Sequence, residues 1–114
     1  MADSKERSAR IAKLNDELRK DPARPRWVMT SGVTAEGPDF VAAAIAAVNA
    51  FDAFTADNDP CGEHDFASVR VEGQDLFWKI DYFQKGSAYT AGAQTPEHPE
   101  TTDRVLTIML AEEY

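Results

Sequence analysis

A chain of 114 residues with 43% apolar and 28% charged side chains is long enough for one domain that buries about two-thirds of its unfolded surface, which excludes a disordered tail and a scaffold dependent on disulfides or metal. The formal charge of -8 is unevenly placed: residues 1–26 carry eight bases against five acids, and residues 27–114 carry four bases against fifteen acids. So anionic a body repels nucleic acid and favours basic protein partners, while a single cysteine, no apolar leader after Met1 and no membrane-length apolar run predict a cytoplasmic protein.

Ser4 can cap a first helix running to about Lys20, on which Ile11, Leu14 and Leu18 recur at helical spacing. The stripe is narrow and the other faces are charged, so this helix either lies lightly on the body or projects from it. Residues 1–25 are read as a basic helical arm and linker, and residues 26–114 as a single acidic α+β domain. Asp21-Pro22-Ala23-Arg24-Pro25 ends the helix, because proline lacks the amide the ladder needs and pushes the preceding residue to extended geometry.

Arg26 to Ser31 reads as a short strand stopped by Gly32. In Glu36-Gly37-Pro38-Asp39, glycine suits the cap, proline the first turn and aspartate the positive helix end. The stripe Phe40, Val41, Ala44, Ile45, Val48 and Phe51 then predicts a core helix extending to about Phe54. Burying its two Phe, one Ile and two Val contributes on the order of 8–15 kcal/mol before entropy is subtracted.

Four acids, an asparagine and a histidine crowd the next ten residues, Asp57-Asn58-Asp59-Pro60-Cys61-Gly62-Glu63-His64-Asp65-Phe66, where Pro60 and Gly62 predict an ordered polar loop. Ala67, Val69 and Val71 alternate with polar residues as in a strand with one buried face. A two-residue turn at Gly73-Gln74, or one position earlier at Glu72-Gly73, joins it to a strand over Leu76–Phe83 with aromatics on both faces. Gln84 to Thr101 is a long loop expected to be the most mobile element, and Arg104 to Ala111 is an apolar run suited to a central strand. The resulting expectation is an α+β fold: a small antiparallel or mixed sheet of three or four strands, one core helix on one face and an N-terminal helix.

Asp57-x-Asp59 followed by Gly62 has the opening of a calcium loop, but Cys61 and Ser68 stand where that pattern requires ligands, so Asp57 and Asn58 are read as capping neighbouring segments through Asx-type turns. Glu63-His64-Asp65 offers a base with carboxylates, yet adjacent residues on a strand face opposite ways, and His64 is expected to be buried, hydrogen-bonded and pinning the loop together with Asn58, Pro60, Gly62 and Asp65. No phosphate-binding, nucleophile-elbow, zincin or zinc-ribbon motif is present, and neither a cofactor nor a metal is expected. Trp27, Trp78, Tyr82 and Phe83 have the chemistry to stack nucleobases, but the acidic surroundings favour core packing or a protein interface.

Five segments, Val28-Met29-Thr30-Ser31-Gly32-Val33, Phe51-Asp52-Ala53-Phe54-Thr55, the polar loop, Phe77-Trp78-Lys79-Ile80-Asp81-Tyr82 and Arg104-Val105-Leu106-Thr107-Ile108-Met109-Leu110, resemble a family of small bacterial proteins known as domain of unknown function 3768. The resemblance spans residues 11–114 and implies cargo of plasmids and other mobile elements, with Cys61 in place of an aromatic residue. Together with the charge it yields the functional expectation of a non-enzymatic inhibitor of a host nucleic-acid-handling defence complex, of anti-CRISPR or anti-restriction type. Its acidic surface would be built from Glu36, Asp39, Asp57, Asp59, Glu63, Glu72 and Asp75 and would occupy a basic protein surface, with no direct contact to nucleic acid or membrane. The alternative is a small enzyme or ligand-binding domain centred on the Asp57–Asp65 loop.

Overall fold

The computed structural model describes residues 2–114, with side chains from Ser4 onward. In chain order the elements are α1 (Ala2–Lys20), β1 (Trp27–Met29), α2 (Ser31–Ala35), α3 (Pro38–Ala50), β2 (Phe66–Val71), β3 (Gln74–Gln84), a 3-10 turn at Pro99–Thr101, β4 (Thr102–Leu110) and a final 3-10 turn at Ala111–Glu113. The four strands form one mixed sheet in the order β1-β4-β3-β2, with β1 parallel to β4 and the other neighbours antiparallel. The fold is therefore α+β, and the apolar run of β4 lies inside the sheet, where both edges are paired.

Helices cover one face. Val33 of α2 and Phe40, Ala44 and Val48 of α3 pack on Ala67, Val71, Leu76, Trp78, Ile80, Leu106, Ile108 and Leu110. The alanines of α3 let its backbone approach the sheet, and Gly37 caps it at a φ of 102° that side-chain-bearing residues disfavour. α3 stops at Ala50, and Phe51 and Phe54 continue as extended chain whose rings meet Trp78 edge-on.

Three local expectations are corrected. α1 begins before Ser4, and Gly32 lies inside α2 and does not end a strand. The reason for α2 is distant in sequence: the Glu113 carboxylate accepts from Gly32 N at 3.1 Å, Thr30 Oγ1 at 2.5 Å and Leu110 N at 2.9 Å, satisfying one amide at the helix start and tying it to the end of β4. In the hairpin the turn is Glu72-Gly73, with φ of 48° and 80°, the left-handed pair of a type I′ turn whose twist matches the strands. Val71 thus pairs with Gln74, Val69 with Leu76 and Ala67 with Trp78, and the buried face is the one expected from the alternation.

β2 reaches only the first half of β3, and the 84–101 loop occupies the edge beyond it. There Ala93 N donates to Tyr82 O at 3.1 Å and Gln84 N to Ala91 O at 2.8 Å, while Lys85 N donates to Thr101 O at 3.0 Å on the β4 side. The segment expected to be mobile is therefore stitched to the sheet. Among the described residues no helix covers the opposite sheet face; Val28, Tyr89 and Tyr114, the large apolar side chains most exposed to solvent, border it, Tyr89 against Phe83 and Tyr114 against Phe66 and Phe77.

Candidate functional site

Ile11, Asn15 and Arg19 recur every four residues on α1 and all three are buried, so the helix's inner stripe is half polar. Asn15 Nδ2 donates to Glu63 O at 2.9 Å and to the Tyr82 hydroxyl at 2.8 Å, while its Oδ1 accepts from Arg104 Nε at 2.9 Å. Tyr82 in turn donates to Glu63 Oε1 at 2.9 Å. Arg104 Nη2 donates to Pro96 O, and its guanidinium lies 5.2 Å from the Tyr82 ring centroid. Burial lowers the Arg104 pKa and, with the charges of Asp65 and Glu63, pushes the Tyr82 phenol far above its ordinary range.

One turn on, Arg19 Nη1 reaches Val48 O at 3.0 Å, Asn49 O at 3.2 Å and Phe51 O at 2.5 Å, carbonyls at and just beyond the end of α3, where the helical ladder runs out. Its Nη2 bonds Asp16 at 2.9 Å, Asn49 Nδ2 donates back to Arg19 O at 3.1 Å, and Arg19 Nε has no partner. α1 is thus anchored to the body through buried polar groups as well as its aliphatic stripe, more firmly than three aliphatic contacts imply.

The polar loop closes against the same helix. Asn58 Oδ1 accepts from Thr55 N at 2.8 Å and its amide donates to Ala53 O at 2.9 Å, as an Asx cap should. Asp59, 8% exposed, accepts from Glu63 N at 3.2 Å and His64 N at 3.3 Å. The chain turns through left-handed backbone at Gly62 and His64, with φ of 69° and 57°. This places His64 Nδ1 3.0 Å from both Asp16 oxygens, Nε2 3.7 Å from Asp59 Oδ2, and the ring flat on Phe54 at 3.9 Å. His64 is half-buried and pins the loop, but its carboxylate partner comes from α1 and not from Glu63 or Asp65. With Nδ1 bonded to Asp16 and the ring stacked on Phe54, the imidazole is held as a strut between α1 and the loop.

The seven acids expected to form one surface fall into two groups. Glu36, Asp39, Glu72 and Asp75 are exposed near the α3 start and hairpin tip, which a 2.6 Å bond from Gln74 Nε2 to Glu36 Oε1 ties together. Asp57, Asp59 and Glu63 lie at the other end of α3 and β2, about 20 Å away for thirteen helical residues. Asp57 is exposed there, whereas Asp59 and Glu63 are engaged inside the loop as described. Among the described residues no group of three or more His, Cys, Asp or Glu is arranged to hold a metal, and no helix is long and apolar enough to cross a membrane. Trp78 and Tyr82 face the helical layer, so the aromatic surface on the open face consists of Phe66, Phe77, Phe83, Tyr89 and Tyr114. Sequence reasoning missed Asn15, Asp16, Arg19 and Arg104; the four-residue recurrence of Ile11, Asn15 and Arg19 was the available signal.

The molecule is thus a two-layer α+β protein whose polar centre is a helix-docking network. Residues 29–113 match the family described as a protein of unknown function, DUF3768, and the chain belongs to that family. The matched span begins after α1, so Asn15, Asp16 and Arg19 lie outside it while their partners Tyr82, His64 and Arg104 lie within it. No curated protein and no solved structure matches the chain.

Proposed function

We propose that the protein is a non-catalytic binding module that presents an acidic corner to a basic protein surface. The observation that carries this reading is the exposed quartet Glu36, Asp39, Glu72 and Asp75, held on a tight hairpin tip and a helix start joined by the Gln74–Glu36 bond. Carboxylates fixed on rigid elements can stand in for phosphates in a cationic channel, and charges at a rim accelerate encounter. The partner class that fits is the nucleic-acid-binding surface of a host defence complex, of the CRISPR or restriction type, with the protein acting as a cytoplasmic inhibitor of mobile-element origin. The enzymatic alternative centred on the Asp57–Asp65 loop is weaker, because His64 and Asp59 are engaged in holding the loop and α1 together.

The test is charge reversal. Glu72→Lys with Asp75→Lys, and separately Glu36→Lys with Asp39→Lys, are expected to slow association with a basic nucleic-acid-binding effector about tenfold or more at low salt and to flatten its salt dependence, with the unfolding midpoint retained. Binding unchanged by both reversals and by salt overturns the acidic-corner reading and transfers the interface to the aromatic open face.

A further inference from the structure

Residues 27–114 contain only four basic side chains, Arg70, Lys79, Lys85 and Arg104. Two pair outward, Arg70 with Asp75 at 2.7 Å and Lys79 with Asp81 at 3.2 Å. The other two converge, together with Arg26, on a single cavity of about 260 Å³ beside α1. Leu14 and Leu18 wall it, and Arg26, Lys85, Thr102 and Arg104 supply its polar lining. No acid among the described residues lines it, although the chain has twenty acids and twelve bases. Four other cavities on this surface each include at least one carboxylate.

We propose that this cavity binds a small oxyanion of the phosphate type, either free or carried as a phosphoryl group on a larger molecule. Arg104 is 6% exposed and has no carboxylate of the described residues within salt-bridge distance; Glu63 is reached through Tyr82 and Asn15. Its Nε and Nη2 are used by Asn15 and Pro96, while Nη1 makes no hydrogen bond to the described residues. A buried guanidinium without a counter-ion is costly, and a phosphate oxygen supplies one. Arg26 is partly shared with Asp103 at 3.6 Å, which leaves a local charge near that of two cations and matches a dianion better than chloride or a single carboxylate. Arg26 also adopts a left-handed backbone, φ 58°, just before β1, an unfavourable geometry for a residue with a long side chain and one that recurs where side chains are aimed at ligands. The cavity size suits one phosphoryl group. This inference is independent of the acidic corner.

The experiment titrates the full chain with inorganic phosphate, with chloride at matched ionic strength as control, while following backbone amide and arginine side-chain resonances. Saturable shifts at Arg26, Lys85, Thr102 and Arg104, with a Kd of about 1 mM or tighter, are expected. Lys85 is exposed, so Lys85→Glu should preserve the phosphate-free unfolding midpoint and weaken phosphate binding at least about tenfold. Lys85→Arg should retain it. A parallel titration with phenyl phosphate separates the sources: tighter binding of the monoester supports a phosphoryl group on a larger molecule, and tighter binding of inorganic phosphate supports the free ion. Shifts that match chloride, lie elsewhere, or persist in Lys85→Glu mean an adventitious ion only and overturn the proposal.

Discussion

Two helices lie on the same face of the sheet and are held in opposite ways. α3 presents Phe40, Ala44 and Val48 to the aliphatic face of β2, β3 and β4, and its contact is close packing of apolar groups. α1 presents Ile11 with Asn15 and Arg19, and the polar pair contacts backbone carbonyls, a phenol and a second guanidinium. Apolar packing tolerates small changes of shape, with costs graded by the volume removed. A buried polar seam is less forgiving, because each lost partner strands another group away from water.

The largest effect that separates the two modes is expected at Arg19. Arg19→Met keeps the length and the apolar stem but leaves the Asn49 and Phe51 carbonyls without the guanidinium, and Val48 O with only the 3.4 Å bond from Phe51 N. Its cost should be about 3–5 kcal/mol, as for removal of one member of a buried charged network. Val48→Ala, at a fully buried position of α3, should cost about 1–3 kcal/mol from transfer and cavity contributions. Urea unfolding of both variants decides the matter. If Arg19→Met proves the milder change, α1 is held mainly by Ile11 and Leu18, and the polar seam is incidental.

The same contrast explains what was legible in the sequence. α3, the hairpin and β4 follow from periodicity and turn residues alone, since Phe40, Ala44 and Val48 or Ala67, Val71, Leu76 and Trp78 advertise their faces through spacing. The cap on α2 was not legible, because Glu113 lies eighty-one residues from Gly32 and nothing local signals the contact. The partner of His64 was hidden for the same reason: Asp16 arrives from α1, and a charged residue on a charged helix reads as solvated until its neighbours are known. Asn58 was legible, as its capping bonds join residues three and five apart. The two groups of acids were individually visible, but their separation depends on the length and direction of α3 and β2.

A smaller effect sharpens the polar side of the comparison. Tyr82→Phe removes the hydroxyl between Asn15 and Glu63 while leaving the ring over Arg104. The loss should be about 1–2 kcal/mol, the cost of leaving one part-buried amide donor and one carboxylate unsatisfied. A double-mutant cycle with Asn15→Ala then measures whether the network is cooperative. A coupling energy near zero would show that Asn15 holds α1 through Glu63 O and Arg104 alone.

The smallest effect has the opposite sign and lies at Asp65, next to the seam. Burial, followed by the charge of Glu63, raises its carboxyl pKa above the ordinary 3.8, with Asp59 and Asp81 adding to the effect. Below that ordinary value the carboxyl is protonated in both folded and unfolded chains, so it contributes nothing. As the pH rises from there to the raised folded value, the unfolded chain releases its proton first. The folded state then binds more protons and stability falls with pH across that window. Asp65→Asn removes the ionisation, and it should therefore stabilise the protein at pH 7, by less than about 1 kcal/mol because the group is partly solvent-screened. Near pH 3 wild type and variant should unfold at the same urea concentration. A variant destabilised at pH 7, or equally stabilised at both pH values, would mean that the Asp65 carboxylate supports the loop and that the polar side of the molecule carries no electrostatic strain there.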